Sequence, residues 1–165
     1  MFKKFFQAII IFIVIISFVN SFSNNTTSNK YTYPIKNNNT ISSDYGYRIL
    51  FNKKNFHNGI DIPAVINTKI YAIDTGVITY IGFDYNGYGN YLIILHNNGY
   101  KSLYGHLSEK ALVKLGDKVN NGDLIALVGP KILTNGLLNG STTGSHLHFS
   151  VFDNTGITFD PKTLY

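Results

Sequence analysis

From residue 40 onward the chain alternates short apolar runs with turns built on glycine, and no segment keeps a helical period for three turns. The runs are four to eight residues long and rich in Ile, Val, Tyr and Leu, which is typical of β-strands. They cover residues 69–73, 76–83, 90–95, 100–103, 123–128 and 146–152. Turns such as Asn86-Gly87 favour hairpins. The sequence therefore predicts an all-β domain of antiparallel, hairpin-rich sheets with very little helix, apart from one short helical turn at 108–113.

The first 23 residues have the pattern of an export signal. Lys3 and Lys4 precede an apolar run at 5–18, and a positive segment followed by roughly 7 to 15 apolar residues is typical of a secretory signal peptide. The run is short for a membrane span of about 20 residues, and an uncleaved N-terminal membrane anchor is the alternative. Either interpretation predicts export to the periplasm, the cell envelope or the exterior.

The rest of the chain divides by composition into a polar segment and one domain. Residues 24–39 are rich in Asn, Ser and Thr and low in aliphatic side chains, which predicts a linker. Residues 40–165 carry all the predicted strands, and a chain of 165 residues is expected to hold one domain.

Charge and cysteine content narrow the function classes. The formal net charge is +5, and it falls by two if Lys3 and Lys4 leave with a signal peptide. The basic residues are scattered, which does not support a nucleic-acid interface, whereas a mildly basic surface is compatible with an anionic polymer such as a cell wall. Because the chain has no Cys, a metal site would have to use His, Asp or Glu.

Residues 113–125 offer one competing interpretation. Two turns on Gly-Asp, with aliphatic residues between them, resemble the pattern of biotinyl and lipoyl carrier domains. Such a carrier displays a modifiable lysine at a hairpin tip. The nearest candidate, Lys131, lacks the expected acidic and hydrophobic flanks, and a carrier does not need clustered histidines.

His57 and Asp61 are the first candidate metal ligands. They lie four residues apart in the segment His-Asn-Gly-Ile-Asp, and in an extended chain residues i and i+4 share a face. Gly59 between them lets the backbone turn inward. Imidazole nitrogen and carboxylate oxygen both bind zinc at about 2.0 to 2.2 Å, so the two side chains could converge on one ion.

His146 and His148 lie two residues apart in an apolar run. On a strand they point to one side, while Leu147 and Phe149 point to the opposite side and into the core. A catalytic zinc site typically has three protein ligands and leaves a fourth position for water or substrate. Asp61, His57 and one of the strand histidines would supply three ligands, and the spacing does not choose between His146 and His148.

The remaining histidines have different interpretations. The strand histidine that does not bind the metal could act on a substrate, and so could His106, which lies where a predicted strand meets a turn. Imidazole is suited to proton transfer and to stabilising a developing oxyanion. His96 begins the turn before Gly99 and is interpreted as a turn or surface histidine.

Taken together, these residues resemble the lysostaphin and LytM type of zinc metalloendopeptidase, enzymes that cleave peptide bonds in peptidoglycan. The resemblance covers roughly residues 41–165 and rests on segments that follow the family's order. They are the opening segment at 41–48, the His-x-x-x-Asp motif at 57–61, the segments at 71–78, 87–91, 103–107 and 119–129, and the His-x-His motif at 146–149. Short motifs match singly by chance, whereas an ordered set is hard to obtain that way.

The resemblance implies a LytM-type fold, similar to a barrel-sandwich hybrid, with one zinc ion held by His57, Asp61 and His148. It also implies that His106 and His146 are the catalytic histidines beside the metal. The substrate would be an extended peptidoglycan peptide in a groove between loops, and other cell-wall proteins are candidate partners.

The sequence departs from the family pattern after Gly129. Residues 130–140 lengthen what is usually a short Gly- and Ser/Thr-rich turn, and their four apolar side chains would suffice to dock on a partner or to fold over the site. Ser145 stands where proline is usual, and Ser150 where an acidic residue often follows. None of these changes removes a proposed ligand or catalytic histidine.

Two functions therefore compete. The first is a zinc-dependent endopeptidase that hydrolyses stem or cross-bridge peptides of peptidoglycan during wall remodelling. The alternative is a non-catalytic module of the same fold that binds peptidoglycan or activates another wall hydrolase. Such modules lack metal ligands. This chain keeps all five expected metal-binding and catalytic residues, which favours catalysis.

Overall fold

The computed structural model describes residues 30–50, 52–109 and 111–165. Eleven strands and one short 3-10 helix form in this part of the chain. The strands are β1 (Gly46–Leu50), β2 (Lys53–His57), β3 (Ile60–Pro63), β4 (Lys69–Tyr71), β5 (Gly76–Asp84), β6 (Gly89–His96), β7 (Lys101–Gly105), β8 (Lys118–Val119), β9 (Leu124–Leu127), β10 (His146–Phe152) and β11 (Thr158–Phe159), and the helix is Pro161–Leu164. In the described ranges no helix has the length and apolar character that a membrane span requires. The predicted signal peptide or anchor at 1–23 lies outside them.

Seven antiparallel strands form the main sheet. Its order is β11-β10-β7-β6-β5-β8, and β3 also pairs with β10. The first residues of β10 pair with β3, its last two pair with β11, and β7 pairs with β10 from His148 onward. Two separate two-stranded sheets, β1-β2 and β4-β9, complete the fold. The prediction of an all-β, antiparallel LytM-type fold with very little helix is confirmed.

Each of the six predicted runs contains a strand, with ends shifted by two residues or fewer. Strands β1 and β2 were not predicted because most of their side chains are half-buried or exposed and no apolar alternation marks them. The helical turn predicted at 108–113 is wrong, since the described residues of that segment are not helical. A helical turn forms instead at Pro161–Leu164, where Asp160 accepts a hydrogen bond from the Lys162 backbone N at 3.0 Å and proline fits the first helical position.

Strand β10 is held by the core through alternate side chains. Leu147, Phe149 and Val151 are all 0% exposed, and burying each such side chain contributes about 1.5 to 3 kcal/mol. Their burial confirms the prediction for Leu147 and Phe149. Because successive strand residues point to opposite faces, the same register presents His146 and His148 on the other face.

Residues 31–39, which the sequence assigned to the linker, belong to the compact unit. Tyr31 and Ile35 are buried in the core, and the backbone N of Thr32 donates to Ile73 O at 2.9 Å. The compact unit therefore starts at Tyr31, which differs from the predicted domain boundary at residue 40. Because most residues around Tyr31 and Ile35 are polar, a division of the chain by composition does not detect these two buried residues.

Candidate metal centre and active site

Three potential metal ligands meet at the junction of β2, β3 and β10. His148 lies directly opposite Asp61 in the β10–β3 register, and residues opposite each other on antiparallel strands have neighbouring side chains. His57 is the last residue of β2. The distances are 3.0 Å from His148 Nδ1 to His57 Nε2, 3.0 Å from His148 Nδ1 to Asp61 Oδ1, and 3.1 Å from His57 Nε2 to Asp61 Oδ1.

This nearly equilateral triangle has the size that a tetrahedral metal ion needs. Metal–ligand bonds of about 2.0 to 2.2 Å place neighbouring ligand atoms roughly 3.3 Å apart, close to the distances in the triangle. Two imidazole nitrogens and a carboxylate oxygen are also a ligand set that suits zinc. The residues present therefore fit a bound metal ion.

The other nitrogen of each histidine in the triangle has its own partner. His57 Nδ1 lies 2.8 Å from the backbone O of Asp44; because a carbonyl only accepts, Nδ1 carries the proton and leaves Nε2 free to bind. His148 Nε2 lies 2.8 Å from Ser150 Oγ, and Arg48 Nη1 lies 3.4 Å from Asp61 Oδ2. Such partners orient metal ligands and set their tautomers.

His146 and His106 lie beside the triangle. His146 Nε2 is 3.5 Å from Asp61 Oδ1, while its Nδ1 is 2.9 Å from the backbone O of Gly144. His106 Nδ1 lies 2.8 Å from the backbone O of Asn139, and the ring centroids of His106 and His146 are 4.6 Å apart. The structure thus brings all five predicted site residues together.

Burial and neighbouring charges set the pKa values in this cluster. Burial alone would raise the pKa of Asp61, but its contacts with the imidazoles of His146, His148 and His57 outweigh burial and hold this pKa well below its usual range. Burial lowers the pKa of His106 to about 4 and also lowers the pKa of His148. For His146, the contact with Asp61 outweighs burial and raises the pKa. At neutral pH Asp61 is thus ionised and His148 neutral, the forms that bind metal ions.

An open groove of about 600 Å³ gives access to these side chains. Its walls come from the β1–β2 hairpin, the turn at 86–88 and residues of the segment 141–145, and all five site residues line it. The described residues that line the groove include none from 130–140. That loop forms its own hairpin through an Ile132–Leu138 bridge, so in this structure it does not fold over the site.

His96 begins the predicted turn, since Gly99 N donates to its backbone O at 3.0 Å, but it is not a surface histidine. It ends β6 and is 3% exposed. Its Nδ1 lies 3.2 Å from the backbone O of Thr75, and its Nε2 lies 2.7 Å from Ser102 Oγ. The ring therefore belongs to a buried hydrogen-bond network away from the metal-ligand triangle.

Among the described residues that contact the site, Arg48, Asn139 and Ser150 were not assigned a role from the sequence. Ser150 could have been found by extending the strand alternation from His148 by two residues. Arg48 and Asn139 reach the site through contacts with residues distant in sequence, which no local pattern reveals.

A groove lined by a metal-binding His-Asp-His cluster with two further imidazoles beside it is the arrangement of a metal-dependent hydrolase site. The chain belongs to peptidase family M23, whose sequence profile matches residues 55–161. This membership replaces the carrier-domain interpretation of 113–125 and confirms the resemblance to lysostaphin-type peptidases.

Relatives and solved structures agree with this assignment. Peptidoglycan DD-endopeptidase ShyA of Vibrio cholerae is 36% identical over 122 residues, which are 72% of this chain and 26% of that protein. The catalytic domain of the antimicrobial peptidase lysostaphin from Staphylococcus simulans matches with a TM-score of 0.64 and 31% identity, over 75% of this chain and 90% of that chain. A zinc containing peptidase from Vibrio cholerae matches with a TM-score of 0.63 and 34% identity, over 78% of this chain and 37% of that chain. The chain spans about a quarter of the length of the curated relatives it matches.

Proposed function

We propose that this domain is a zinc-dependent endopeptidase that hydrolyses peptide bonds in the stem or cross-bridge peptides of peptidoglycan. The observation that carries the proposal is the triangle of His57, Asp61 and His148, whose ligand atoms lie 3.0 to 3.1 Å apart within an open groove. Membership of the M23 family and the name of the relative ShyA support a peptidoglycan substrate.

Zinc is the metal we assign to the triangle. A site with two imidazoles, one carboxylate and an open position matches catalytic zinc sites with two histidines and an acidic ligand. One solved relative is itself described as a zinc containing peptidase. When bound, zinc would supply Lewis-acid polarisation of the scissile carbonyl and activation of the attacking water.

His106 and His146 are assigned to proton transfer and to stabilisation of the oxyanion. Each ring has its Nδ1 against a backbone carbonyl, at Asn139 and at Gly144, so each Nδ1–H donates. The Nε2 atom of His106 is left for the substrate side, whereas that of His146 lies 3.5 Å from Asp61 Oδ1, beside the metal-ligand triangle. A neutral ring can then accept a proton at Nε2, and a protonated ring can donate one to the oxyanion or the leaving amine.

The groove suits an extended and polar peptide. Its described walls carry hydroxyl, amide and guanidinium groups from Ser42, Asn55, Arg48 and Ser141, which can hydrogen-bond a peptide backbone. Peptidoglycan lies outside the cytoplasm, so the proposal is consistent with export through residues 1–23 to the cell envelope, where other wall proteins would be available as partners.

The proposal is tested with the purified full-length chain and two variants. Wild type should bind one zinc ion and release peptides from purified peptidoglycan. His148→Ala should lose both zinc and activity, whereas His106→Ala should keep zinc and lose about 100- to 10,000-fold in rate. Full activity in either variant would contradict the assignment. A wild-type chain that binds no metal but stimulates a wall amidase would favour the non-catalytic alternative.

A further inference from the structure

Asn139 is fully buried although the loop that carries it is mostly exposed. It is 0% exposed, while its loop neighbours Leu137 and Leu138 are exposed. Its side chain makes three hydrogen bonds to backbone groups: Oδ1 accepts from Asn90 N at 2.8 Å, and Nδ2 donates to Leu107 O at 3.0 Å and to Pro130 O at 3.2 Å. The side chain therefore fixes the backbone at the end of the loop.

The backbone carbonyl that is fixed in this way holds His106. Asn139 O accepts from His106 Nδ1 at 2.8 Å. At the start of the same loop, the backbone N of Gly129 donates to His106 O at 2.9 Å. The loop at 130–140 is thus anchored at both ends on one residue, through its ring and through its backbone.

His106 needs such anchors because its backbone is in an unusual conformation. Its φ of 55° lies in the left-handed region, which is uncommon for residues other than glycine. Residues in this region persist where the surrounding structure holds them. The His106 backbone N also donates to Tyr88 O at 2.6 Å, so the turn at 86–88 and the loop at 130–140 together restrain it.

The backbone packs closely around Asn139 at three glycines. A Cβ added at Gly129 would lie 2.7 Å from Asn139 Nδ2, and one added at Gly89 would collide with the backbone O of Asn139. At Gly140 an added Cβ would collide with Gly87 and Gly89. The loop end is therefore in direct backbone contact with the turn that also contacts His106.

We propose that Asn139 is the positioning residue for His106. Its side chain holds its own backbone carbonyl in place, and this carbonyl fixes the His106 ring in the Nδ1–H tautomer. The Nε2 atom of His106 then faces the substrate side. This inference rests on the proposed peptidase function, but the tautomer can be measured without it. The extended loop at 130–140 thereby contributes to the site through Asn139, although none of its described residues lines the groove.

The experiment compares wild type, Asn139→Asp, Asn139→Ala and the matched control Asn135→Ala, all as the full-length chain purified in detergent. Asn139→Asp keeps the acceptor for Asn90 and loses both donors, while Asn135 lies at the exposed tip of the same loop. Activity is measured on disaccharide-peptide dimers from purified peptidoglycan, and zinc per chain is measured by mass spectrometry. The His106 tautomer is measured on metal-free, 15N-histidine-labelled protein by NMR.

Both Asn139 variants should show kcat lowered about 10- to 100-fold, with KM within twofold of wild type and zinc content unchanged, while Asn135→Ala matches wild type. Wild-type His106 should be in the Nδ1–H form, and the Asn139 variants should shift toward Nε2–H. A wild-type ring in the Nε2–H form overturns the proposal even if no variant folds, and so does an unchanged kcat in either Asn139 variant. If wild type hydrolyses no peptide, the proposed function fails. The measured tautomer of His106 still decides whether Asn139 has the positioning role.

Discussion

His148 and Asp61 face each other across β10 and β3, and their ligand atoms Nδ1 and Oδ1 lie 3.0 Å apart. A slip of one residue in either strand would turn one of these side chains to the opposite face of the sheet. A slip of this kind in β10 would also move Leu147 and Phe149 out of the core, where both are fully buried. Burial on one face of β10 therefore maintains the metal-binding geometry on the other.

Replacing Asp61 by Asn should strongly weaken metal binding at this site. The substitution removes the charged ligand and leaves two imidazoles. Losing a hydrogen-bond partner of a ligand typically costs up to about 100-fold in metal affinity, so we expect the loss of a ligand itself to lower the zinc affinity by more than about 100-fold. Affinity is measured by competition with a chelator. The control is Asp44→Asn, because the Asp44 side chain pairs with Lys162 and only its backbone O contacts His57. Stoichiometric zinc in Asp61→Asn at chelator concentrations that strip no zinc from wild type would contradict the assignment.

The composition of the cluster could be predicted from the residue pattern, whereas the distinction between the two strand histidines came only from the family resemblance. Alternation predicts that His146 and His148 share a face, and residues two apart are equivalent in a pattern of period two. The difference comes from the neighbouring strand, where Asp61 lies opposite His148 and Pro63 lies opposite His146. Strand pairing is non-local, so the pattern within one strand does not contain it.

Replacing Ser150 by Ala should weaken metal binding without removing a ligand. Ser150 Oγ lies 2.8 Å from His148 Nε2, and losing such a partner typically costs 10- to 100-fold in metal affinity. The same chelator competition measures the effect, with Ser145→Ala as the control at a serine that lines the groove. An affinity equal to wild type would show that Ser150 does not orient His148.

Adding a methyl group at Gly59 should destabilise the domain at the metal-binding junction. A Cβ there would lie 2.5 Å from Ser150 Oγ and 2.9 Å from His148 Nε2, and overpacking of this kind typically costs about 1 to 3 kcal/mol. Urea unfolding of the metal-free protein measures the loss. Gly144→Ala is the matched control, because a Cβ at Gly144 would meet no atom within 4 Å. Equal free energies of unfolding for the two variants would refute the steric argument.

Non-local contacts also explain what composition could not predict at Ile35 and Asn139. Ile35 is buried in the core although the segment around it is mostly polar, so composition assigned it to a linker. Asn139 follows two exposed leucines, and its partners Asn90 and Leu107 are more than 30 residues away in sequence. In both cases the burial depends on tertiary contacts that a window of neighbouring residues does not include.

The stability of the domain should depend on pH through His96. Burial lowers the pKa of this histidine, and the unfolded chain has a histidine pKa near 6.5. Below about pH 6.5 the unfolded state therefore binds a proton that the folded state excludes, and folding stability falls as the pH decreases toward the lower folded pKa. Above about pH 6.5 both states are neutral and the full stability is present. The expected slope is up to about 1.4 kcal/mol per pH unit.

The contribution of His96 is isolated by comparing wild type with His96→Gln in urea unfolding between pH 5 and pH 8. Metal-free protein is used, so that release of a bound ion in acid does not enter the measurement. Four other histidines are present in both proteins, and their contributions cancel in the difference. Wild type should lose stability more steeply than His96→Gln below about pH 6.5, because only wild type must keep a buried imidazole uncharged beside Thr75 and Ser102. Parallel stability curves over the whole range would show that His96 does not exclude a proton in the folded state.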